Sequence, residues 1–153
     1  MNRKLSDYAS IAEIVSGIAV VITLVFLTLS LRDNTNTTRT LVYQQLLGAI
    51  NEHNIAVMQD EESAKLWVGR YQRDISELSE GERARLVTMF RIIYRTRDAA
   101  YYAGRYGTLG ASERGRFERV SCDSHRQLNV ELREEVLAVV SDEFREFLES
   151  SCE

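Results

Sequence analysis

Residues 14–31 read IVSGIAVVITLVFLTLSL: 18 residues without one charge, twelve of them Val, Ile, Leu or Phe. As a helix this stretch is about 27 Å long, close to the ~30 Å hydrocarbon core of a bilayer. At roughly −0.3 to −0.6 kcal/mol for each large apolar residue, the twelve contribute about −5 kcal/mol towards insertion. That outweighs Ser16, Gly17, Thr23, Thr28 and Ser30. The stretch reads as one transmembrane helix over residues 11–32. A tail, 1–10, precedes it; a juxtamembrane segment, 33–40, and a soluble domain, 41–153, follow.

The tail carries Arg3 and Lys4 ahead of the apolar run, as a signal peptide does. A signal h-region is about 7–15 residues and ends in a small-residue cleavage site; this run is longer and no such site follows. A retained single-pass anchor is the expectation. The charges flanking it, Arg3 and Lys4 on one side and Arg32 and Arg39 on the other, balance and do not set its orientation.

Along the anchor, Ala9, Ala12, Ser16, Ala19, Thr23 and Ser30 recur at spacings of 3, 4, 3, 4 and 7. In lipid, helices associate through close packing of small faces, because hydrophobicity gives little drive between them. The stripe is therefore a candidate packing face for a membrane partner or a second copy, although small residues are common in any transmembrane helix. Next comes RDNTNTTRT, residues 32–40, whose Asn and Thr content suits a loop or a kinked continuation.

The apolar span ending in L-x-L-x-L-R, then Asn34-Thr35, Thr38-Arg39 and Tyr43-Gln44, resembles a group of uncharacterised bacterial single-pass membrane proteins. The resemblance covers the anchor and the following helix. It implies a helical soluble part in a bacterial inner membrane protein, and carries no activity, cofactor or catalytic residue.

The chain of 153 residues has no proline, and no alternating strand pattern. The expected fold is all-α: one N-terminal transmembrane helix followed by a bundle of about five or six helices. From Leu41 to about Gln59, Leu46, Ile50 and Val57 with Leu47, Ile55 and Met58 form a broad apolar face. Asp60 reads as the cap of a short helix over 61–72 with Leu66, Trp67 and Tyr71 inward, and 73–78 as a loop. Ser79 and Glu82 form a capping box opening the longest soluble helix, with Leu86, Met89, Phe90, Ile93, Tyr94 and Tyr101 at core spacing. Gly107 and Gly110 end it. A helix over 112–128 presents Phe117, Val120 and Leu128; Asn129 and Ser141 cap the last two helices.

The net charge of −4 argues against general nucleic-acid binding. Acid is concentrated in 129–153, with eight Asp or Glu, whereas 82–105 holds six Arg against Glu82 and Asp98. These two regions are expected to pack side by side. Cys122 and Cys152 are the only cysteines. With Cys152 in an expected frayed terminus, two reduced thiols are the expectation. Without a disulfide framework the soluble domain leans towards the cytoplasm.

For chemistry the chain offers little. Cys122 and His125 share a helix face, but two ligands are too few for zinc and His53 is on another helix. Glu131, Glu134 and Glu135 lie on one short helix, where acid–base pairs need opposing elements. No catalytic residue, metal site or cofactor is expected. The segment RIIYRTRDAAYYAGRYG, residues 91–107, interleaves Arg and Tyr; Tyr94 and Tyr101 suit the core, leaving Tyr102, Arg105 and Tyr106 as a candidate interface. The expected function is a non-enzymatic membrane adaptor or accessory subunit, the alternative a homo-oligomeric sensor or ligand-binding module, and a membrane-bound enzyme third.

Overall fold

A computed structural model describes residues 2–72 and 74–152, with side chains from residue 12 onwards. Every regular element among them is helical: α1 (Asn2–Met58), α2 (Glu61–Gly69), a 3-10 turn (Ile75–Glu77), α3 (Glu80–Arg105), α4 (Ala111–Gln127), α5 (Val130–Leu137) and α6 (Asp142–Ser151). The chain divides into two compact units, Met1–Thr38 and Arg39–Glu153.

In the first unit, the apolar stretch is helical and exposed along its whole length, Phe26 most of all at 71%. Among the described residues α1 is the one helix long and apolar enough to cross a membrane. Residues 33–40 do not form a loop. They are helical, and three of their hydroxyls turn back onto the helix: Thr35 donates to the Leu31 carbonyl (2.8 Å), Thr37 to Asp33 (3.0 Å) and Thr38 to Asn34 (2.9 Å). Bonded this way, the threonines no longer compete with the helical ladder. Of the small-residue stripe, Ala12, Ser16, Ala19, Thr23 and Ser30 are exposed, and Ala9 lies outside the described side chains. The Thr23 hydroxyl is held by the Ala19 carbonyl at 2.9 Å, so this face is chemically quiet and can pack closely.

The second unit is organised around α3, which packs against α2, α4 and α5. Its start is a complete capping box: Ser79 Oγ accepts from the Glu82 amide, and the Glu82 carboxylate accepts from the Ser79 amide (3.0 Å). Asp60, Asn129 and Ser141 likewise cap α2, α5 and α6 through their side chains. Past its C-terminus Gly107 takes a positive φ of 75°, which lets the Leu109 amide reach the Ala103 carbonyl (2.9 Å).

Leu86, Phe90, Ile93 and Tyr94 from α3 meet Val57, Trp67, Leu132, Val136, Phe144 and Leu148 in one core. Leu46, Ala100, Leu109 and Phe117 form a second, smaller cluster. The α3–α5 charges complement each other as expected. Arg83 pairs with Glu135, and Arg91 Nε donates to the Glu135 carbonyl at 2.9 Å. Asp98 extends this by accepting from both the amide (2.9 Å) and the hydroxyl (2.7 Å) of Ser141, fixing the start of α6 to α3.

Several expectations need correction. Among the described side chains of α1 only Leu46, His53 and Val57 are buried, whereas Leu47, Ile55 and Met58 are exposed, so its core face is a narrow stripe. The second helix ends at Gly69, not Gln72, and the segment after it carries a capped 3-10 turn that buries Ile75. Val120 on α4 is exposed. Cys152 is not in a frayed end: it is fully buried and bonded to Cys122. That bridge replaces the two reduced thiols, because the packing of α4 against α6 brings the Cα atoms to 4.7 Å.

Candidate functional site: an apolar groove

Between α1, α3 and α4 of the second unit lies an open groove of about 210 Å³. Its walls are Leu47 and Ile50 of α1, Ile93 of α3, and Phe117 and Val120 of α4, completed by Tyr43, Arg97 and Arg116. The residues that broke the expected pattern, Leu47 and Val120, are thus wall residues of a depression rather than of the core.

The helices order the lining along the groove. Arg39 Nε donates to the Gly107 carbonyl (3.1 Å), while the far end of this segment places His53 against Trp67, itself against Phe90. The α1 and α3 segments therefore run antiparallel, which sets Leu46 against Ala100. Arg116 Nη1 donates to the Tyr43 hydroxyl at 3.3 Å, which brings α4 to the same end. The lining is apolar apart from the Tyr43 hydroxyl and the Arg97 and Arg116 side chains.

Arg97 is the unusual member. Its Nη1 is out of solvent and has no hydrogen-bond partner among the described residues. Its guanidinium lies 5.3 Å from the Tyr94 ring centre, and burial lowers its pKa below the ordinary arginine value. Glu118 lies with Arg97 on a small adjoining cavity, but its carboxylate is directed to Arg114 at 3.6 Å. Burying a cation without a carboxylate is costly, so the site is electrostatically incomplete as it stands.

The sequence-derived candidates lie elsewhere. Tyr102 and Tyr106 stack with centres 6.0 Å apart, and Arg105 Nη1 donates to the Tyr101 hydroxyl at 3.3 Å. Tyr106 is 72% exposed, so this end of α3 presents a small aromatic and cationic surface. Tyr94 is fully buried, and Tyr101 is half-buried against Phe144 and Phe147, as core spacing requires.

The Cys122–His125 pair holds no metal chemistry, since Cys122 is committed to the disulfide, and the described residues contain no group of three or more metal ligands. A second depression, of about 310 Å³, is lined by Glu62, Lys65, Leu66, Ser79 and Glu82. Its side chains are engaged in ordinary surface contacts: Lys65 with Glu61, Glu62 with Arg85, and Ser79 with Glu82.

His53 lies on α1, apart from Cys122 and His125 on α4 as expected, and it is buried edge-on to Trp67 at 5.3 Å. Burial lowers its pKa, so the fold favours the neutral ring. The stability this gives is complete above about pH 6.5 and is lost as pH falls towards the folded-state value. Between pH 7 and pH 5, His53→Leu should flatten the fall in unfolding midpoint; a slope equal to wild type would place the titration elsewhere. No family model matches the chain, and neither does any curated protein or solved structure.

Proposed function

We propose that this chain is a non-enzymatic, single-pass membrane protein of a bacterial inner membrane, acting as an adaptor or accessory subunit of a larger membrane assembly. The observation that carries the reading is the exposed apolar length of α1. Twelve large apolar side chains within 18 residues need lipid or protein around them, and the second unit has a core of its own. The quiet face of Ala12, Ser16, Ala19, Thr23 and Ser30 supports a helix as one of those neighbours. The disulfide supports a domain on the side of the membrane where thiols oxidise, in place of the cytoplasmic leaning.

Single cysteines introduced at Ser16 or Ala19 should crosslink to a partner helix, while cysteines at Val21 or Val25 on the opposite face should not. The Cys122–Cys152 pair stays in place, because bonded sulfurs do not compete for the reagent. Equal crosslinking from both faces, or none from either, would leave the stripe as composition alone. A second reading, a ligand-binding module, is favoured by one feature: the groove between α1, α3 and α4.

A further inference from the structure

We infer that the outward face of α1 between Leu41 and Met58 is a self-association surface, where two copies of this chain pack in parallel along a seam of Leu41, Gln44, Gly48, Asn51, Ile55 and Met58. The inference names a neighbour for the proposed membrane-anchored protein and rests on that reading.

The face is anomalous in charge. Of the twelve exposed residues from Thr40 to Met58 only Glu52 is charged, against four of nine on α3 and five of nine on α4. Leu41, Ile55 and Met58 are each more than half exposed. The seam residues recur at spacings of 3, 4, 3, 4 and 3, the period at which side chains of two helices interlock. At 100° per residue they lie opposite Leu46, His53 and Val57, the side of α1 held in the core.

Gly48 is the second observation. Glycine in mid-helix is less stable than alanine, and a Cβ at Gly48 would meet nothing within 4 Å in its own chain. Its own fold does not require a glycine there, whereas the close approach of another backbone does.

The polar members of the seam select the occupant. Anchors inserted from the same side bring copies together in parallel and in register, so each seam residue meets its own counterpart. A charged side chain repels its counterpart, but an amide carries both donor and acceptor and bonds to its copy. Gln44 and Asn51 are both amides, and Glu52 flanks the seam. In sequence, sevens counted from Ser16 pass Thr23, Ser30 and Thr37 and reach Gln44, Asn51 and Met58, so the seam keeps the phase of the anchor's small residues. Anchor contact and seam then act as two linked contacts, and a short seam suffices.

The test uses the full chain in membranes of the expressing cells, with one added cysteine at a time and a short bifunctional thiol reagent. The native pair is bonded and does not react. Leu41→Cys and Ile55→Cys should give a species of twice the 17.5 kDa chain. Ala49→Cys and Ala56→Cys, exposed on α1 about a third of a turn from the seam, should give about tenfold less. Gly48→Phe should lower the Ile55→Cys yield about tenfold, with helical content by circular dichroism unchanged, because the added ring has free space in its own chain.

Equal yields from the two faces, or none from either, would overturn the seam. A crosslinked species of another mass would put a different protein on this face and overturn the second copy as its occupant. Release of the chain by alkaline carbonate would overturn the anchor reading and the parallel register with it. Release is scored before any crosslink, so the two failures are told apart.

Discussion

Replacing Cys122 by serine lowers the unfolding midpoint of the helical domain by about 10–15 °C. The bridge joins α4 to the end of α6 across a sequence separation of 30. In the chain-entropy account, a loop of that length contributes about 3–4 kcal/mol by restricting the unfolded chain. For a domain of this size 1 kcal/mol moves the midpoint by about 3–5 °C. Trp67, the chain's one tryptophan, lies in the core beside His53 and Phe90, so its fluorescence reports the domain and not the anchor. Wild type in a strong reductant should melt with the variant. A midpoint within two degrees of wild type for both would mean that α6 is held by its apolar contacts and by Asp98 alone.

The bridge also marks where reading the sequence stops. Helix boundaries were legible because capping is local: Asp60, Ser79 with Glu82, Asn129 and Ser141 each announce a start within three or four residues. Periodicity likewise placed Phe90 and Tyr94 inside. A disulfide depends instead on which helices become neighbours, and two cysteines on different elements carry no local sign of it. The Asp98–Ser141 contact was hidden for the same reason.

The groove was less legible still. Periodicity shows which residues leave water, but not whether three helices close fully over them. Leu47 and Val120 therefore looked like core. The one available signal was Arg97 itself, a charge one turn after Ile93 on the apolar side of α3. For the threonine-rich segment after the anchor, composition left a loop and a helical continuation both open, since it does not reveal that the Thr35, Thr37 and Thr38 hydroxyls bond back four residues.

Phe90→Ala should cost the domain about 3–5 kcal/mol, the range for removing a large aromatic from a core. Phe90 is 1% exposed, in the middle of α3, with ring centres 5.4 Å from Trp67 and 6.0 Å from Tyr71. Alanine there removes buried apolar surface and two aromatic contacts, and leaves a cavity that helices fixed by caps and a disulfide collapse into poorly. Ile93 is the instructive comparison. It too is buried, at 7% exposure, but one side of it lines the groove. Ile93→Ala widens an existing opening instead of creating a closed void, so its cost should fall at or below about 2 kcal/mol, the lower bound for isoleucine truncation. Melting both variants by Trp67 fluorescence decides the matter. If Ile93→Ala is as damaging as Phe90→Ala, the groove is closed in solution and Ile93 is core; if both are mild, α3 is not the element around which the domain packs.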